Sequence, residues 1–241
     1  MRIYFDHNAT TPIEPSVAET MSSALISTFG NPSSVHHFGQ QAKKLVDEAR
    51  TAVAELLAAR PSEIVFTSGG TESDNLAIRG VSELSAATNG RCHLITSAIE
   101  HDAVLKTVST LGKRTGWRCT ILPVNNQGLV SPKQLADSID DETSIVSVMH
   151  ANNEIGTIQP IRELAAIAHD RGALFHTDSV QAAGKIPIDV KSLNIDLLSI
   201  SAHKFNGPKG IGALWSKRGI RLNPILTGGG HERHRRAGTE K

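Results

Sequence analysis

From residue 63 onward, short runs rich in β-branched residues alternate with stretches whose apolar residues recur three and four apart, and this alternation most narrows what the chain can become. Such a succession of βαβ units builds a largely parallel sheet with helices packed over it. The strand-like runs are EIVFT, HLITS, CTILPV, SIVSVMHA, ALFHTDS, LLSIS and GIGALW. Between them, SPKQLADSI and IRELAAIAHDRG carry helical periodicity, and Gly172 stands where the second helix should stop. Before residue 63, strong helix formers from Gly39 to Leu57 predict a helix, and Asn31-Pro32-Ser33-Ser34 reads as a loop. The 241 residues contain no internal repeat, low-complexity tract or linker, and 39% hydrophobic composition is enough for one substantial core.

Charge and cysteine content exclude several classes of function. Lys+Arg 25 against Asp+Glu 24 gives a net charge of +1, so no global field draws the chain to nucleic acid or an anionic membrane. Any anion has to be held locally. The start, MRIYFDHNATTP, lacks the apolar run of a secretory signal, and no apolar stretch exceeds strand length, so a soluble, cytoplasmic protein is expected. Cys92 and Cys119 cannot make a disulfide framework and have no nearby His or Cys partners for zinc, so both read as core or strand residues.

In open α/β sheets ligands sit beyond the carboxyl ends of the strands, so the residues after each run are the candidates for chemistry. EIVFT leads into Ser68-Gly69-Gly70-Thr71-Glu72-Ser73 and then a helix. Free backbone N–H groups, the positive helix end and the hydroxyls of Thr71 and Ser73 could hold a phosphate there. An ordinary tight turn is the plain alternative. The Walker lysine pattern is absent, which argues against a P-loop. Asp178 follows ALFHT and could be a metal ligand, a base or the partner of a protonated pyridine nitrogen; Gln181 lies three residues on. Lys204 follows LLSIS-Ala202-His203 and either snorkels to water or is placed to react with a carbonyl. His101 follows HLITS, and Asn152 and Asn153 follow SIVSVMHA. A lone histidine is more often structural than catalytic. What carries weight is convergence: a phosphate turn, an acid, a lysine and a histidine fall on one edge of one sheet, the set of parts that a pyridoxal 5'-phosphate (PLP) site needs.

The blocks YFDHNATTP, GNPSSVHHFG, FTSGGTESDNLAI, EHDAV, HANNEIGTIQPI, FHTDSVQAAGK, SAHKFNGPKGIGAL and GGGHERHRRAGTE resemble, in order and over essentially the whole chain, the motifs of the cysteine desulfurases. The resemblance implies the three-layer α/β/α large domain of PLP-dependent fold type I, spanning residues 1–241, with the first fifteen or so residues forming an arm of a small domain. By position it implies that Lys204 holds the cofactor covalently and acts in catalysis. Asp178 would then pair with the pyridine nitrogen and Gln181 with the phenolic oxygen, while Gly70, Thr71, Ser201 and His203 hold the phosphate. It further implies that His101 stacks on the ring and moves protons, that Asn152 lies beside cofactor and substrate, and that Thr239 reaches the phosphate of a partner subunit in a homodimer. L-cysteine would be desulfurated to L-alanine, and the sulfur passed to an acceptor such as an iron–sulfur scaffold protein. No metal ligand is implied. The sequence ends at Lys241, before the region in which such enzymes carry the rest of the small domain, the nucleophilic cysteine and the arginine that clamps the substrate carboxylate. Neither Cys92 nor Cys119 matches the nucleophile's position, so sulfur transfer by these residues alone is not expected. Rival readings are a selenocysteine lyase or other class V aminotransferase relative, a non-catalytic PLP-binding or dimerising module, and a metal site built from His231, Glu232 and His234 with His36 and His37.

Overall fold

The computed structural model describes residues 2–240. Its seven strands are β1 (Ile64–Thr67), β2 (His93–Ser97), β3 (Arg118–Leu122), β4 (Thr143–Ser147), β5 (Leu174–Asp178), β6 (Leu197–Ser201) and β7 (Gly212–Ser216). They form a single sheet in the order β1-β7-β6-β5-β4-β2-β3. Pairings from β3 to β6 are parallel, while β7 runs antiparallel to both β6 and β1. The short connection from β6 to β7 returns the chain directly, whereas the parallel pairs need helical crossovers. Every residue of β2, β4, β6 and β7 is buried, as strands covered on both faces should be.

The helices are α1 (Pro15–Ser27), α2 (His37–Leu56), α3 (Gly70–Asn89), α4 (Asp102–Leu111), α5 (Pro132–Ser138) and α6 (Ile161–Asp170), with a short helical turn at His231–His234 near the end of the described residues. Leu76 and Ile78 of α3 and Val104 and Val108 of α4 pack with Leu94, Ile145 and Leu197 on one face. Ala54 of α2, Leu135 of α5 and Leu164 of α6 pack with Phe175, Val146 and Ile200 on the other. The result is the α/β/α sandwich that the resemblance implies, built on the largely parallel, helix-covered sheet that the pattern of runs predicts. Local signals set the helix ends: the His36 ring accepts from Gly39 N at α2, Ser131 Oγ accepts from Gln134 N at α5, and Gly172 takes φ +68 just past α6.

The periodicity does not announce α1. Pro15 starts it, it buries none of its residues, and Leu25 and Ile26 face outward. Upstream of it, the chain crosses the carboxyl edge of the sheet, where Thr11 N donates to His203 O at 2.9 Å and Glu14 N to Asn206 O at 3.0 Å.

After β7 the chain returns over the α3 side, held by Asn223 N to Gly80 O at 2.9 Å. It then passes through three consecutive non-glycine residues at positive φ, Glu232 (47°), Arg233 (56°) and His234 (65°). Left-handed backbone costs a non-glycine residue roughly 1–2 kcal/mol, so this turn needs an anchor. The anchor is buried. Arg50 of α2 pairs with Glu232 through Nη1–Oε2 at 2.7 Å and Nη2–Oε1 at 2.9 Å, and also donates to Ile64 O. Phe66 N donates to the same carboxylate, and the guanidinium lies 4.7 Å from the Phe66 ring centroid. Removing one partner of a buried bidentate pair strands the other charge. Arg50→Ala is therefore expected to destabilise the protein by about 3–5 kcal/mol in denaturant unfolding; a loss below about 1 kcal/mol, the level of an exposed pair, would contradict this account.

Candidate active site

Strands β1, β2, β4, β5 and β6 end on one side, and a cavity of about 470 Å³ opens there, lined among others by Thr10, Gly69, Gly70, Thr71, Ser201 and His203. Gly69 has φ +155 and precedes α3, whose first turn presents its amides to this space. A Cβ on Gly70 would stand 2.8 Å from Val180 Cγ2, so only glycine lets the turn approach β5 and β6 this closely. Thr71 is exposed at the turn and Ser201 ends β6 fully buried. Ser73 departs from the sequence expectation. Its hydroxyl is buried, 2.7 Å from Thr67 Oγ1, and braces the turn from beneath instead of facing the cavity.

The other candidates gather along the same edge. Asp178 is buried at the end of β5, where its Oδ1 accepts from Val180 N at 2.8 Å. Burial pushes this carboxyl up, while the Val180 amide and then His101 and Lys204 pull it back. Lys204, in a 3₁₀ turn after β6, donates through Nζ to Asn8 O at 2.5 Å and Ala9 O at 2.9 Å. Burial, then Lys185, lowers this ammonium from its ordinary value, which favours a free amine. Gln181 donates to Asn8 O at 2.9 Å and accepts from Lys185 Nζ at 2.7 Å, so the N-terminal segment closes over both side chains. His203 Nδ1 stands 3.2 Å from Thr10 Oγ1, and burial, then Lys204 and Lys209, lowers its pKa.

His101 and Asn152 have local duties as well. The His101 ring caps α4 by accepting from Ala103 N at 3.1 Å. Asn152 donates to Ile99 O and accepts from Glu154 N and Ile155 N, which ties it into its own turn. Thr239 is exposed and is not among the residues lining the cavity. Its segment is tied to the glycine turn by Arg236, whose Nε donates to Glu72 Oε1 at 2.8 Å, while Glu72 Oε2 accepts from Ser68 N at 2.8 Å. Burial alone would raise the Glu72 carboxyl, but Arg236 and Ser68 outweigh it and hold it low.

Among the described residues no group of three or more His, Cys, Asp or Glu is arranged to hold a metal ion, and Glu232 is committed to Arg50. Cys92 precedes β2 at the amino end of the sheet, and the Cys119 sulfur packs under Gly112 on edge strand β3. No helix is long and apolar enough to cross a membrane.

The Aminotransferase class-V family pattern matches residues 3–240. The chain belongs to that family. It is 50% identical over 238 residues to a cysteine desulfurase IscS of Dictyoglomus turgidum, covering 99% of this chain and 60% of that protein. It is 51% identical to a cysteine desulfurase IscS of Methanosarcina thermophila, covering 99% of this chain and 58% of the relative. Among solved structures, a NifS-like protein superposes with a TM-score of 0.95 at 41% identity over 100% of this chain and 66% of its own. SspA in complex with cysteine gives a TM-score of 0.94 at 41% identity, covering 99% and 69%. The chain thus spans about three-fifths of the length of these curated relatives. Class V aminotransferases and cysteine desulfurases are PLP-dependent, and the donor set here fits that cofactor: a glycine turn for the phosphate, a strand-end acid for the ring and an amine within the same edge.

Three buried groups escaped the sequence reading. Asp74 of α3, Glu100 before α4 and His176 of β5 lie behind the site. Asp74 shares a helical face with Ala77, Ile78 and Val81, and an acid on an otherwise apolar face was a legible signal. Glu100 Oε1 accepts from Ser97 Oγ at 2.5 Å and Met149 N at 2.9 Å, and Oε2 has no partner within the chain. Burial pushes Glu100 up from 4.5 to about 8. Its folded pKa therefore lies above its unfolded one, so its contribution to stability is complete below pH 4.5 and is lost as pH rises through 8. Glu100→Gln removes that loss. The melting temperature of the variant minus that of the parent is expected to widen from pH 5 to pH 9; a gap that narrows over this range would mean that Glu100 is buried as a stabilised anion.

Proposed function

We propose that these residues are the cofactor-binding large domain of a PLP-dependent cysteine desulfurase, which takes sulfur from L-cysteine to leave L-alanine and an enzyme persulfide. The observation that carries the reading is the meeting of Asp178, Lys204 and the glycine turn at one end of a parallel sheet. The identities of about 50% to cysteine desulfurases, and the cysteine complex of a 41% identical structural neighbour, support the substrate.

Bound PLP supplies an electron sink for charge developing at the substrate Cα. Lys204 would anchor the cofactor through its amine and, once free, would take the α-proton as a base. Its lowered pKa suits both tasks. Asp178 holds a proton on the ring nitrogen, where a carboxylate in a dry site acts most strongly. Gly70, Thr71, Ser201 and His203 would hold the phosphate, and Gln181, which donates to Asn8 O here, would donate to the phenolic oxygen. His101 would stack on the ring and move protons through the nitrogen not used in capping α4, and Asn152 would lie beside cofactor and substrate. Thr239 reaches the phosphate of a partner subunit in a homodimer. The sulfur moves when a cysteine thiolate outside residues 1–241 attacks the substrate sulfur. The Cβ–S bond breaks, its electron pair stays with carbon and is protonated, and the persulfide goes on to an acceptor such as an iron–sulfur scaffold in the cytoplasm.

Two outcomes test this reading. Protein loaded with PLP and treated with borohydride should retain the cofactor covalently, and Lys204→Ala should abolish that retention; retention in the variant removes Lys204 from the role. The 241-residue protein with PLP, cysteine and a reductant should release sulfide no faster than free PLP, because a nucleophile that is not positioned forfeits about 7–11 kcal/mol of barrier reduction. Faster release that disappears in Cys92→Ser or Cys119→Ser would place the nucleophile within these residues.

A further inference from the structure

Beneath the proposed site, on the α3 face of the sheet, runs a buried polar chain for which the chemistry above has no use. Asp74 is 1% exposed and His176 0%, and both sit among Leu76, Ile78, Leu94 and Ile145. Residues 176 and 178 of β5 point to the same face, so His176 stands one step below Asp178. Its Nδ1 is 2.8 Å from Ser147 Oγ of β4, and its Nε2 is 2.9 Å from Ser199 Oγ of β6. The Ser199 hydroxyl is within reach of the Asp74 carboxyl and by itself would lower that acid's pKa. Asp74 Oδ1 has no hydrogen-bond partner in the chain and stands 3.7 Å from His176 Nε2.

Counting protons leaves two ways to run this chain. A neutral imidazole carries one N–H, so each ring nitrogen is either donor or acceptor. With a proton on Asp74, the acid donates to Ser199, Ser199 donates to Nε2, and Nδ1–H donates to Ser147. With Asp74 ionised every bond reverses: Ser199 donates to the carboxylate, Nε2–H donates to Ser199, and Ser147 donates to Nδ1. The ionised arrangement gives a fully buried carboxylate one hydroxyl donor and leaves its second oxygen bare, which is costly.

The surroundings decide between them. The titratable groups facing Asp74 are Asp178 and His176 from β5 and Glu100 from the turn after β2, while β4 and β6 present Ser147 and Ser199. Among the described residues none of these neighbours is a lysine or arginine. Burial first, and Asp178 second, raises the Asp74 carboxyl well above its ordinary range. Burial also holds the His176 imidazole down at about 3, so it is neutral near pH 7.

We infer that Asp74 is a proton-bearing positioning residue that sets the direction of the Asp74–Ser199–His176–Ser147 chain, fixes His176 in its Nδ1–H form and leaves Asp178 free to be the anion that serves the proposed cofactor site. The first two statements concern the folded chain alone. The third rests on the function proposed for Asp178, and the test keeps them apart.

The test uses the full 241-residue protein without cofactor. Nitrogen-15 NMR of the histidine rings should show Nδ1 protonated and Nε2 bare at His176 near pH 7. Asp74→Asn should keep that pattern, because its amide can donate to Ser199 in place of the acid, and Asp74→Leu should lose it. A raised acid stabilises the fold below its unfolded pKa and loses that contribution as pH rises, so the melting temperature of Asp74→Asn minus that of the parent should grow between pH 5 and pH 8. A proton on Nε2 of the unmodified protein, or a gap that shrinks with rising pH, overturns the inference. If neither variant folds, the tautomer of the unmodified protein still decides. Failure of borohydride trapping at Lys204 would sink the functional proposal without touching this result.

Discussion

The parallel pairing of β5 with β6 is the constraint on which the site depends. Its register sets Asp178 opposite Ser199, so Ser201 falls one pleat beyond on the same side of the sheet and the chain then turns through Ala202–Lys204. With both faces of these strands covered, a slip of one residue would turn Asp178 and His176 toward Phe175's side of the core and strip His176 of its partners Ser147 and Ser199. That exclusion is strong because an unpaired acid among aliphatic side chains costs several kcal/mol. Covering both faces also gives the edge its chemistry: it makes the environment dry, which lowers the Lys204 ammonium and raises the acids behind it.

Elements outside the sheet adapt to this frame. The glycine turn is stiffened from three sides: by Ser73 and Thr67 below, by the Ser68–Glu72 hydrogen bond within the turn, and by Arg236 from the chain's last residues. The same distal segment is drawn into left-handed backbone at residues 232–234 and held by a bidentate ion pair to α2. Strain and buried charge thus occur together, the second compensating for the first. The N-terminal segment plays a different part. Its carbonyls at Asn8 and Ala9 occupy the Lys204 ammonium, contacts that an amine bonded to a cofactor would no longer make.

Much of this was written in the residue order. Short β-branched runs separated the seven strands from the stretches of helical periodicity after residue 63, because strands covered on both faces read as brief apolar runs and helices as longer amphipathic ones. The strand-end rule then selected Asp178, Lys204 and the Gly69-Gly70 turn. Helix stops at Gly172 and caps at His36 and Ser131 are local events between residues a few positions apart. Helix α1 escaped because its apolar residues lack a buried stripe within this chain, and Ser73 was misplaced because hydroxyl orientation at a helix start depends on what packs below.

What the sequence by itself determined, then, was element type, the sheet edge and the cast of reactive side chains, because each depends on near neighbours along the chain and on the two-residue alternation of strands. What only the tertiary structure decided was which groups share a dielectric. Asp74, Glu100 and Asp178 come from three separate parts of the chain, and their protonation follows from burial and mutual repulsion at distances no spacing encodes. The joining of Arg50 to Glu232, 182 positions apart, is of the same kind: the energy of a buried charge is a property of the space around it, and that space exists only after the sheet has closed over its helices.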